Sequence, residues 1–172
     1  MIRFLIYIIP PIILLLLGLN FIDADGRRMA VYSFDRDSRI ISRLFPAQRL
    51  MGMTNGSQTI KQTPVYFTVR APFPYDQARV TVQYTAPAQS VVILGIERQG
   101  AGWNYETARP DSNGTAEFDL TGARATDGLL SFLISTDKPQ SQPTSIVLNS
   151  ISVELTRSAS LWQELWQKLT RV

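Results

Sequence analysis

Hydrophobic positions along the chain fall into three regimes. Residues 4–22 form an apolar run, from Phe4 to Ile22, that contains no charge. From about Thr59 to Leu155, apolar residues alternate with polar ones at period 2 in short segments bounded by Gly, Pro, Asn and Asp. Near the C-terminus the period changes again. Leu161, Trp162, Leu165, Trp166 and Leu169 follow i, i+1, i+4, i+5, i+8, an amphipathic helical stripe.

The first regime predicts a transmembrane helix. Nineteen residues in a helix span roughly 28 Å, close to the hydrocarbon thickness of a bilayer. Pro10 and Pro11 would end a helix in water, but in hydrocarbon a kinked helix leaves fewer backbone groups unsatisfied. A cleaved signal peptide is the rival reading: Met1 and Arg3 supply a short basic start, and a cut after Ala24 is conceivable. Asp23 and Asp25 flank that cut and the small-x-small pattern is missing, so an uncleaved anchor is preferred. Arg3 on one flank is matched by Arg27 and Arg28 on the other. A short basic N-terminal tail stays inside as a rule, which puts the main domain on the extracytoplasmic side of a single-pass membrane protein.

The second regime predicts strands. In Pro64–Arg70, Val65, Phe67 and Val69 share one face, with Tyr66, Thr68 and Arg70 on the other. In Ala78–Thr85, Val80, Val82 and Tyr84 point inward, and in Thr115–Leu120 so do Ala116, Phe118 and Leu120. Ser90–Ile96 is apolar on both faces and reads as a central strand; Trp103–Tyr105 and Gly128–Ser135 add two more. Ser145–Leu155 changes phase between Leu148 and Ile151, which predicts a bulge near Asn149 or Ser150. Upstream, Ala30–Phe34 and Arg39–Phe45 read as short strands around an Asp35–Ser38 turn, and Met51–Ser57 as a loop. Asn113-Gly114 suits a tight turn.

These signals predict a mainly β chain: an antiparallel jelly-roll-like β-sandwich over residues 25–157. It follows an N-terminal transmembrane helix over residues 1–24 and precedes a short C-terminal amphipathic helix over residues 158–172. Ser160 and Gln163 have capping-box spacing at the start of that helix. Its stripe of Leu161, Trp162, Leu165, Trp166 and Leu169 either docks on the sandwich or contacts the membrane surface or a partner.

Composition narrows the chemistry. The chain has 172 residues, a net charge of +3, and neither His nor Cys. That removes thiolate nucleophiles, His bases, zinc sites built from His or Cys, and disulfides. Cations are scattered among acids, with no nucleic-acid-binding patch. Asp111, Glu117, Glu97 and Glu106 supply carboxylates, but no spacing sets two across a cleft as glycoside hydrolysis needs, so a hydrolase is the least favoured reading and no enzyme activity is expected. Asp35 with Asp37, or Asp111 with Asn113, offers oxygen ligands for calcium, though a solvated turn explains each. Asn55-Gly-Ser57 and Asn113-Gly-Thr115 match the glycosylation pattern, and turn chemistry explains them equally. No cofactor and no metal site is predicted.

The run Leu129–Ser135, a variable loop, and Ile146–Val153 together resemble a jelly roll of the galactose-binding-like or carbohydrate-binding-module type. Leu148-Asn-Ser-Ile-Ser-Val153 is similar to the closing strand of such modules, with Asn149 where an acid is common. The resemblance implies sugar binding by exposed aromatic rings and planar polar side chains. Trp103, Tyr105 and Arg109 are the residues it points to, with Phe73 and Tyr75 second; for the four aromatics, core packing or edge cover is the preferred reading. The leading expectation is a non-catalytic interaction or structural module of the cell envelope, with the lipid bilayer and another envelope protein as partners. A glycan-binding module is the alternative.

Overall fold

The computed structural model describes Pro11 and residues 26–72, 74–86, 91–107, 113–123, 125–137 and 145–157. Among the described residues, eleven strands make an antiparallel two-sheet sandwich: β1 (Arg27–Ser33), β2 (Leu50–Thr54), β3 (Ser57–Ile60), β4 (Val65–Arg70), β5 (Gln77–Thr85), β6 (Val92–Arg98), β7 (Gly102–Thr107), β8 (Asn113–Asp119), β9 (Ala125–Thr126), β10 (Leu129–Thr136) and β11 (Ile146–Thr156). One sheet runs β2-β3-β11-β5-β8, with β1 also on β11; the other runs β4-β10-β6-β7, with β9 also on β10. The longest strand, β11, holds the first sheet together. One of its edges pairs with β5, and the other is shared end to end by β3 and β1.

Alternation places the core between the sheets. Val65, Phe67 and Val69 of β4, Val80, Val82 and Tyr84 of β5, and Ala116 and Phe118 of β8 are all buried, on the faces their spacing predicts. Phe118 of one sheet meets Phe132 of the other edge-on at 5.9 Å, and Phe132 stacks on Phe67 at 5.4 Å. Such aromatic pairs add to area burial. The β11 register shifts between Leu148 and Ser150, where the phase change predicts a bulge.

Three expectations are corrected. Met51–Ser57 is not a loop: β2 and β3 form a hairpin whose turn is Asn55 (φ 51°) and Gly56 (φ 74°), the left-handed pair that a two-residue turn requires. Asn113-Gly114 is not a turn, because Asn113 pairs with Gln83 and Gly114 with Val82 inside β8. The hairpin turn lies instead at Asp127 (φ 54°) and Gly128 (φ 71°), between β9 and β10. Arg39–Phe45 is only partly a strand. It runs beside β4 through Ser42 N–H to Thr68 O (2.9 Å) and Phe45 N–H to Tyr66 O (2.9 Å), but the Thr68 N–H donates to Ser42 Oγ (2.8 Å), which interrupts the ladder. Tyr75, second choice as a ligand contact, is buried in the core, the reading preferred for it.

Among the described residues no helix is long and apolar enough to cross a membrane. The transmembrane and amphipathic helices expected over residues 1–24 and 158–172 fall outside the described residues, Pro11 excepted.

Candidate functional site

The outer face of the β4-β10-β6-β7 sheet departs from the usual polar exterior. Alternation turns Tyr66, Leu133, Gly95 and Tyr105 to this face, and the strand registers set them in one row: Tyr66 opposite Leu133, Leu133 opposite Gly95, Gly95 opposite Tyr105. Phe45 bridges to Tyr66 and extends the row past β4. Trp103 lies two residues before Tyr105 on β7, opposite Glu97.

The rings of this row touch. Phe45 and Tyr66 stack at 5.7 Å with 28° between planes, and Tyr66 meets Trp103 at 5.4 Å and 39°. Tyr66 and Trp103 sit on strands three spacings apart, roughly 14 Å at the usual inter-strand distance. Their rings reach 5.4 Å only by leaning toward one another across β10 and β6. Leu133, between them in the sheet, is 2% exposed although it points away from the core cluster. An apolar side chain on an outer face is buried this way only beneath a cover.

Gly95 makes room on the same face. A Cβ there would lie 3.0 Å from Leu133 Cγ, 3.1 Å from the Asn104 carbonyl oxygen and 3.2 Å from Tyr105 Cδ1. The Tyr105 ring therefore rests against bare backbone. Tyr105 remains 56% exposed and Phe45 43% exposed, while Tyr66 and Trp103 are half-buried. Thr68 and Ser131, paired in register, and Glu97 supply polar groups on the same face.

Trp103 and Tyr105 thus occupy one face, as their i, i+2 spacing on a strand requires, and neither packs in the core. Arg109, Phe73 and the tail positions Leu161, Trp162, Leu165, Trp166 and Leu169 lie outside the described residues. Phe45 and Tyr66 complete the strip and were not singled out by sequence reasoning. The signal at Tyr66 is an aromatic on the polar phase of an alternating strand, opposite a Leu in the polar phase of β10; Phe45 carries none.

The opposite outer face is polar across β8, β5 and β11. Arg79 reaches Glu117 (2.8 Å) and Glu154 (3.6 Å) across three strands, and Thr81 meets Thr115 at 3.2 Å. An open concavity of about 490 Å³ adjoins them, with Arg27, Asp119 and Arg157 also on its wall. The Asp119 carboxylate accepts the Thr121 backbone N–H at 2.8 Å, and that bond holds its pKa below the ordinary value. Burial raises the Tyr32 hydroxyl pKa on the inner side of β1. Glu97 and Glu117 project from opposite faces of the sandwich, so these two carboxylates cannot share a cleft. Asp37 is held by Arg43 through two bonds of 2.8 and 3.0 Å. Among the described residues no three acidic groups gather as a metal site would require.

No family model and no curated protein matches the chain. Among solved structures, the xylan-binding module CBM15 superposes with a TM-score of 0.46 at 12% identity, over 78% of this chain and 100% of that one. A low-affinity xylan-binding module, CBM86, from Roseburia intestinalis gives 0.43 at 14% identity, over 75% and 96%. A family 11 carbohydrate-binding module from Clostridium thermocellum gives 0.35 at 12% identity, over 78% and 91%. The three are carbohydrate-binding modules, the class that the closing strands resemble. The likeness is one of strand arrangement, and the ligands named belong to those proteins.

Proposed function

We propose that this chain is a non-catalytic carbohydrate-binding module, tethered by residues 1–24 and facing the extracytoplasmic side. The observation that supports glycan binding is the aromatic strip of Phe45, Tyr66 and Trp103, with Tyr105 beside it. The C–H-rich face of a pyranose ring is apolar and slightly electropositive. It suits the electronegative face of an aromatic ring. Ring–ring contacts at 5.4 and 5.7 Å hold the side chains in place before a ligand arrives, so little rotamer entropy is lost on binding. Thr68, Ser131 and Glu97 would hydrogen-bond the sugar hydroxyls. A strip spread over several strands suits a chain of sugars better than a single one. The tether is supported by the charge-free run Phe4–Ile22.

The test is binding of the full chain, reconstituted in nanodiscs, to a panel of soluble cell-wall and capsular polysaccharides. Saturable binding that falls at least about tenfold in both Trp103→Ala and Tyr66→Ala supports the reading, being the loss of one well-packed anchor. No binding to any glycan by folded protein refutes it.

A second reading is an envelope protein as partner. The edge strand β1 favours it, with Met29 and Val31 exposed at 68% and 56% on its outer side.

A further inference from the structure

The two ends of the sandwich leave it at one corner. Strand β1 pairs with β11 along its whole length, Arg27 opposite Thr156, and the Arg157 N–H donates to the Gly26 carbonyl oxygen at 2.7 Å. Gly26 follows the apolar N-terminal run by four residues, and Leu161 follows Arg157 by four. Four extended residues reach roughly 14 Å. Both apolar patterns therefore begin within reach of one small patch of bilayer.

From this convergence we propose that the Trp-bearing stripe of residues 161–169 lies in the headgroup layer of the same bilayer that residues 4–22 enter. The domain would then be held at two points. The inference rests on reading residues 4–22 as an anchor. Trp and Leu on one side of an amphipathic segment, with Gln163, Glu164, Gln167 and Lys168 on the other, suit that layer. The sandwich surface beside the corner offers a poorer seat. Its outer face there is Met29 and Val31, then Glu154, Ser152, Arg79 and Glu117, so five large apolar side chains would mostly meet charged and polar groups. In the sequence, Asp23 and Asp25 offset two of the three cations Arg27, Arg28 and Arg157. The attraction is accordingly apolar insertion and needs no anionic lipid.

The chain's three tryptophans make the test direct, because only Trp103 lies outside the tail. The full chain is reconstituted in phosphatidylcholine vesicles, plain or carrying bromine on the upper acyl chain, and flotation after alkaline carbonate scores the anchor. In Trp103→Phe, where emission comes from Trp162 and Trp166, brominated lipid is expected to quench. In Trp162→Phe/Trp166→Phe it is expected to have little effect. Unquenched tail emission from protein that still floats overturns the proposal while leaving the anchor standing. A lowered Tm in the double variant would then place the stripe on the sandwich. Protein that fails to float after carbonate overturns the anchor and this inference with it.

Discussion

Replacing Gly95 with Ala tests the close approach beneath the aromatic strip. Gly costs a strand interior roughly 0.5–1 kcal/mol relative to Ala, and the backbone of Gly95 does not sit in the left-handed region. At an open position Gly95→Ala should therefore stabilise. Here the new methyl would sit 3.0 Å from Leu133 Cγ, 3.1 Å from the Asn104 carbonyl oxygen and 3.2 Å from Tyr105 Cδ1. The Tyr105 ring is exposed and can swing away, but Leu133 is buried and the Asn104 carbonyl belongs to the neighbouring strand. Overpacking of this kind costs roughly 1–3 kcal/mol. The expected net is a loss of about 1 kcal/mol, or a Tm lower by roughly 3–6 °C in a domain of this size. Urea unfolding followed by circular dichroism measures the loss, and glycan titration should weaken as the Tyr105 ring is displaced. In a Tyr105→Ala background the cost should shrink without vanishing, since two of the three contacts persist. A Gly95→Ala protein as stable as the parent, or more stable, would refute the tight contact and the ring placement argued from it.

Leu133→Ala should destabilise by about 2–4 kcal/mol, as a core Leu does, although Leu133 lies on an outer face; an exposed-site value below about 0.5 kcal/mol in urea unfolding would mean the rings do not cover it. Arg79→Ala should cost no more than about 1 kcal/mol and the cost should shrink in high salt, because the Arg79 pairs are largely exposed. Acid should loosen the turn after β8: the Asp119 pKa is depressed when folded, so its bond to Thr121 contributes above the unfolded carboxylate range and is lost as pH falls through the folded pKa. Asp119→Asn should flatten that part of the pH–stability curve.

Much of the sandwich is readable from period 2 alone. Val80, Val82 and Tyr84, or Ala116 and Phe118, announce both a strand and its buried face, because each such strand has one wet side. The β2–β3 hairpin escapes that logic. Met51-Gly-Met-Thr54 has neither alternation nor β-branched enrichment, and all but one of the residues in β2 are exposed. Only Asn55-Gly56 marks it, and the same dipeptide at Asn113-Gly114 lies within a strand. A turn dipeptide thus needs its flanking strands to be understood. Trp103 and Tyr105 could be picked out as adjacent aromatics. Tyr66 shows only as an aromatic on the polar phase of β4 and Phe45 not at all, since what makes them a site is contact between segments, which the registers supply and spacing within one segment does not.

The arrangement around β11 also governs the order of events in time. Ala30 pairs with Val153 and Ile60 with Ile146, so the first strand and the first hairpin must wait for the last strand before they have a neighbour. Contacts so distant in sequence fold slowly. A chain emerging N-terminus first cannot complete the sheet around β11 until residues 146–156 are free. Until then the edge carrying Met29 and Val31 is available to another copy's strands. Crowding during synthesis is therefore a condition that exposes this domain to aggregation.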